Sequence, residues 1–143
     1  MDVQEQSLIG WPKITPIRML LADDSDVIRR VLFVFLEGEP LIEIVGEAKD
    51  FTELLDKALA LKPRIVLMDL HMRDKYKFKP EFVRSELQAS AEHVLAMSRS
   101  YDDEALVLSN SYGASLLLEK SKLITELVGT VEKLCAADDV RES

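Results

Sequence analysis

What this chain lacks narrows its class before any motif is read. A single cysteine, Cys135, leaves no pair to oxidise, so no disulfide framework is expected and a reducing cytoplasm is the default. Cys135 sits at helical spacing among apolar neighbours and reads as a small core residue, not a nucleophile. No long apolar run occurs, and the opening MDVQEQSLIGWPKITP holds an early acid, so neither a leader nor a membrane span is expected. Positive charge is scarce: 18 basic against 26 acidic residues give a net charge of −8, which argues against a phosphate-backbone binder. No Ser/Thr/Gly-rich loop follows the first apolar run, and the acids that stand there would repel a phosphate, which disfavours a flavin carrier. Internal repeats and low-complexity segments are absent.

What remains is an alternation of two kinds of segment. Short runs of Val, Ile, Leu and Met at 17–22, 41–46, 64–69, 93–97 and 115–118 show no in/out alternation, which suits parallel strands buried on both faces. Helical spacing fills the gaps. Residues 25–37 carry Val27, Ile28, Val31, Leu32 and Phe35. The next segment opens on Asp50 with Glu53 three places on, a capping-box arrangement, and stops at Pro63. Residues 80–90 and 102–111 are weaker helices, the second opening on acids that suit a helix N-terminus. The last, 121–136, puts Ile124, Leu127, Val128, Val131, Leu134 and Cys135 on one stripe. Five such βα units with short connections predict a doubly wound, flavodoxin-like α/β fold: a five-stranded parallel sheet flanked by five helices. The expected limits are a tail over 1–16, one domain over 17–136 and a frayed tail over 137–143.

The chemistry collects at the strand ends. The first run delivers Asp23 and Asp24, and the third, Arg64-Ile65-Val66-Leu67-Met68-Asp69, delivers Asp69. In a parallel sheet such ends meet along the ligand-binding crevice. Three crowded carboxylates raise one another's pKa unless a cation lies among them, and Mg²⁺ with oxygen ligands is the expected cofactor. Ser98 follows the fourth run and Lys120 the fifth, after the Gly113-Ala114 turn. Singly, each has a plain alternative: a helix cap, a backbone hydrogen bond, a solvated amine. Together they put three carboxylates, a hydroxyl and an ammonium on one edge.

This ordered set, with spacings of 45 (24 to 69), 29 (69 to 98) and 22 (98 to 120), resembles the receiver domain of two-component response regulators over roughly residues 17–136. The resemblance implies a phosphorylation switch in a phosphorelay. Asp69 would accept the phosphoryl group from a sensor histidine kinase, a phosphotransfer protein or a small phosphodonor. Asp24, Asp69 and the backbone carbonyl of His71 would hold Mg²⁺, with Asp23 acting through metal-bound water. Lys120 would pair with Asp69 and later with the phosphoryl group, and Ser98 would donate its hydroxyl to a phosphoryl oxygen. Output would leave through the last helix and fifth strand, by homodimerisation or partner docking, with no direct nucleic-acid binding and no membrane. Four positions depart from the family pattern: Arg73 where Pro is common, Arg99 where a small residue is common, Leu117 where an aromatic switch residue is expected, and Ser121 where Pro is usual.

Two other readings compete. Aspartyl-phosphate hydrolases also open on a strand-end Asp, but they carry a second acid two residues on, and Asp69-Leu70-His71 has none. The four departures fit a degenerate receiver that binds partners without being phosphorylated.

Overall fold

The computed structural model describes the backbone of residues 15–142 and the side chains of residues 15–138. The tail expected over 1–16, with Trp11 and Pro12, lies outside the described residues up to position 14. Five strands and five longer helices then alternate, as the apolar pattern predicts: β1 Ile17–Ala22, α1 Asp26–Glu37, β2 Ile42–Ala48, α2 Phe51–Leu61, β3 Ile65–Asp69, α3 Pro80–Ser90, β4 His93–Ser98, α4 Asp103–Ser111, β5 Leu116–Glu119 and α5 Leu123–Glu142. Short 3₁₀ turns at Lys75–Lys77 and Lys120–Lys122 precede α3 and α5.

Local chemistry sets the helix starts. The Ser25 hydroxyl accepts from the Ile28 amide at 3.2 Å, and Asp50 and Asp102 accept from the Glu53 and Ala105 amides, each at 2.8 Å. Glu53 reaches back to the Lys49 amide at 3.1 Å, one residue ahead of the N-cap, which closes the box in slightly wider form. Pro80 opens α3, where its missing N–H is no loss.

All strand pairs are parallel, in the order β2-β1-β3-β4-β5. Successive strand residues face opposite sides and build two cores. Leu20, Val66, Met68, Val94, Ala96 and Leu117 meet α2, α3 and α4; Met19, Leu21, Ile65, Leu67, Leu95 and Met97 meet α1 and α5. Cys135 is buried in the second core, as its spacing predicts.

Two expectations need correction. On α1 the sequence stripe is wider than the buried face: Leu32 and Leu36 are buried, while Val27 and Val31 are 70% and 49% exposed, and Val34 is exposed beside them. Ile124 on α5 is likewise about half exposed. The C-terminal segment is helical to Glu142 instead of fraying after 136. Asp138 explains this: its carboxylate meets the His93 imidazole at 2.5 Å and Arg64 at 3.7 Å, tying the helix extension to the starts of β4 and β3. No helix among the described residues is long and apolar enough to cross a membrane.

Candidate functional site

The sheet order reverses direction between β1 and β3, which are hydrogen-bonded neighbours, so their carboxyl ends flank one crevice. Both strands end in carboxylates. Asp23 continues β1, Asp24 opens the turn into α1, and Asp69 is the last residue of β3. The three offer oxygens that all lie within 4.8 Å of one another, Asp23 and Asp69 buried and Asp24 half-buried.

Each is held in place. Asp23 Oδ1 accepts from the Ser25 amide at 2.8 Å, and its own carbonyl accepts from the Arg29 guanidinium, which also pairs with Asp26 and, at 3.3 Å, with Glu47. Asp69 Oδ1 accepts from the His71 amide at 3.2 Å, and the Leu70 amide donates to the Met97 carbonyl at 3.1 Å. Lys120 follows β5, two strands away, and lies 2.8 Å from Asp23 Oδ2 and 3.5 Å from Asp69 Oδ2. The expected partner, Asp69, is therefore the more distant of the two. In this state the ammonium favours the wholly buried Asp23, which has most to lose without a counter-charge.

Burial pushes the Asp69 carboxyl above the usual carboxylate range. Lys120 and the His71 amide pull it down, and Asp23 and Asp24 push it further up. Asp23 Oδ2 is buried with no aligned hydrogen-bond donor, its contact with Lys120 being ionic. Three carboxylates offering hard oxygen donors, with one ammonium between them, fit a divalent cation such as Mg²⁺.

The remaining expected residues sit close by. Ser98 ends β4, one residue past Met97, the register partner of Asp69, and its buried hydroxyl oxygen accepts from the Ser100 amide at 3.3 Å. The His71 ring is exposed, with Nδ1 3.1 Å from the Lys75 ammonium. Of the departures, Arg73 lies over the β1–α1 turn, 3.5 Å from the Asp24 carbonyl; Arg99 is exposed; Leu117 is buried in the core that holds Ala105 and Tyr112. No cis peptide bond occurs among the described residues, so Lys120–Ser121 is trans.

Asp74 was not singled out by the sequence. It is buried, and accepts from the Phe51 amide at 2.8 Å, the Thr52 amide at 3.0 Å and the Thr52 hydroxyl at 2.7 Å. Burial alone would raise its pKa, but the donors outweigh that and leave it below the usual range. Nearby, Phe51 stacks on Tyr112 at 5.2 Å, and burial together with Asp74 pushes the Tyr112 phenol up.

A five-stranded parallel sheet with a carboxylate cluster at its switch point defines a flavodoxin-like domain of the receiver class. Comparisons with known proteins narrow this further. No family model matches the chain. The transcriptional regulatory protein LiaR of Bacillus subtilis is 30% identical over 129 residues, covering 89% of this chain and 60% of LiaR. A protein-glutamate methylesterase/protein-glutamine glutaminase of Symbiobacterium thermophilum is 47% identical over 57 residues, 40% of this chain and 16% of that protein. Among solved structures, a LuxR-family two-component response regulator from an Aurantimonas species superimposes with a TM-score of 0.74 at 26% identity, over 86% of this chain and 87% of that one. Over most of its length the chain is similar in sequence and fold to the receiver regions of two-component response regulators. It spans 60% of LiaR and a much smaller share of the methylesterase.

Proposed function

We propose that this chain is a phosphorylation switch in which Asp69 takes a phosphoryl group from a phosphohistidine or a small phosphodonor. The observation that carries this reading is the buried Asp69 at the β1–β3 switch point, between two further carboxylates and the Lys120 ammonium. An oxygen of Asp69 forms the new bond to phosphorus while the bond to the donor's leaving atom breaks, the electron pair going with the leaving group. A carboxylate is a weak nucleophile, so the work of the site is positioning and neutralisation of charge. The His71 amide holds one oxygen of Asp69 and leaves the other facing Lys120. Lys120 turns from Asp23 towards the incoming phosphoryl oxygens, and the Ser98 hydroxyl exchanges its contact with Ser100 for one of them. Asp23, Asp24, Asp69 and the His71 carbonyl would hold Mg²⁺, which supplies positive charge against the phosphoryl oxygens.

The partner reading is a sensor histidine kinase or phosphotransfer protein. Support comes from α1, which starts two residues after Asp24 and exposes Val27, Val31 and Val34 on one side, an apolar stripe beside the acceptor. Output through β5 and α5, by homodimerisation or docking, is supported by a shallow cleft lined by Tyr101, Leu116, Lys122, Glu126 and Thr130, with Leu116 and Tyr101 exposed. The buried Leu117 gives that output no aromatic ring to swing, which favours a modest conformational change and is the observation behind the second reading, a phosphorylation-independent interaction module.

Intact-mass measurement with acetyl phosphate separates the two. The switch gains one phosphoryl mass in the presence of Mg²⁺, and Asp69→Ala gains none. Equal labelling of both proteins, or no labelling of wild type by either acetyl phosphate or a phosphohistidine donor, rules out the switch.

A further inference from the structure

Asp74 does more than a helix needs. The helices α1 and α4 each start on one capping side chain from the adjoining residue, Ser25 and Asp102. The helix α2 has its own such cap in Asp50, yet a second carboxylate, from 23 residues along the chain, takes the Phe51 and Thr52 amides and the Thr52 hydroxyl. Burying an ionised carboxylate is costly unless it is fully hydrogen-bonded. Three donors satisfy Asp74, and all three come from α2.

The other end of the same connection is the acceptor. Only residues 70–73 separate Asp69 from Asp74, and within them the chain makes its contacts with the site: the His71 amide on Asp69 Oδ1, the Leu70 amide on Met97, and Arg73 over the Asp24 carbonyl. Met72 is buried between the two anchors, and its carbonyl accepts from the Lys75 amide at 3.1 Å. A segment this short, pinned at both ends, has little freedom to move the His71 peptide unit. With Asp74 released, the basic run from Arg73 to Lys79 has no ion pair among the described residues to hold it down; the Lys75 ammonium meets the His71 and Tyr76 rings, not a carboxylate.

We propose that Asp74 is a positioning residue for the acceptor site: by tying the β3–α3 connection to the N-terminus of α2, it fixes the His71 peptide beside Asp69. This inference rests on the reading of Asp69 as a Mg²⁺-dependent acceptor.

Asp50 supplies the control, because Asp50→Ala removes a cap from the same helix without touching the connection. Three quantities are measured on Asp74→Ala, Asp50→Ala and wild type: amide exchange across residues 70–73 in metal-free protein, the Mg²⁺ dissociation constant by calorimetry, and the initial rate of labelling by acetyl phosphate. Both variants should lower the melting temperature. Only Asp74→Ala should speed exchange at 70–73 and weaken Mg²⁺ by about tenfold, the usual effect of removing a group that orients a metal ligand. Asp74→Asn, which keeps one acceptor oxygen, should fall between. If Asp74→Ala does not fold, Asp74→Asn and Thr52→Val carry the same comparison. Equal exchange and equal Mg²⁺ affinity in the Asp74 and Asp50 variants, against a wild type that labels normally, overturn the positioning role alone. A wild type that binds no Mg²⁺ and takes no phosphoryl group overturns the acceptor reading, and the positioning role with it.

Discussion

Asp69 and Asp74 lie five positions apart, both buried, and their acidities move in opposite directions. The sign of each effect on stability follows. Asp69 titrates higher in the fold than in the unfolded chain, so its contribution is fully present below about pH 4 and is lost as pH rises through the folded value. Asp74 titrates lower in the fold, so its contribution is present above about pH 4 and is lost as pH falls through the folded value. The metal-free protein should therefore gain stability as pH drops from neutral towards about 4, and lose it below. Thermal melts across that range check this. Asp69→Asn should abolish the gain and be more stable than wild type at pH 7. Asp74→Asn should flatten part of the loss and be less stable at pH 7 by roughly 1–3 kcal/mol, the cost of leaving buried donors short of an acceptor. A wild-type melting temperature that falls steadily from pH 7 downward would contradict the burial argument for Asp69.

At the scale of elements, two faces invite opposite tests. Phe51 is wholly buried at the start of α2 and stacked on Tyr112, so Phe51→Ala should cost about 3–5 kcal/mol in denaturant unfolding. The exposed valines of α1 should behave otherwise: Val31→Ser and Val34→Ser should stay within about 0.5 kcal/mol of wild type. Labelling by acetyl phosphate should be unchanged in both, while transfer from a phosphorylated kinase slows if α1 is the docking side. Element types and most boundaries were legible because local signals set them: Asp50 with Glu53, Asp102, Pro63 and Pro80 all act within a few residues. What failed depends on distant partners. The exposed side of α1 reads as core because periodicity shows only that apolar residues recur, and not how wide a stripe the sheet covers. The continuation of α5 to Glu142 rests on Asp138 meeting His93, 45 residues away, and no local pattern announces it. Asp74 stood inside a basic run and was invisible for the same reason: its donors are backbone amides of another helix. The preference of Lys120 for Asp23 over Asp69 is likewise a matter of three-dimensional approach from β5.

For the whole molecule, the site is a store of electrostatic tension held by a rigid sheet. Asp23, Asp24 and Asp69 repel one another across at most 4.8 Å, and one ammonium balances them only in part. A cation that binds the folded form alone stabilises it by mass action, by about 2.7 kcal/mol at a hundredfold excess over its dissociation constant. Mg²⁺ should accordingly raise the melting temperature of wild type. Asp24→Asn should raise the metal-free value and shrink the Mg²⁺ increment, and a variant that keeps the full increment would argue against Asp24 as a ligand. The most direct test of the central claim is to locate the phosphoryl group. Protein treated with acetyl phosphate and Mg²⁺, then reduced with borohydride, converts an aspartyl phosphate to homoserine, which a peptide map assigns to one position. The account predicts conversion at position 69 and nowhere else; conversion at position 23 or 24, or a borohydride-resistant phosphate on Ser98, would contradict it.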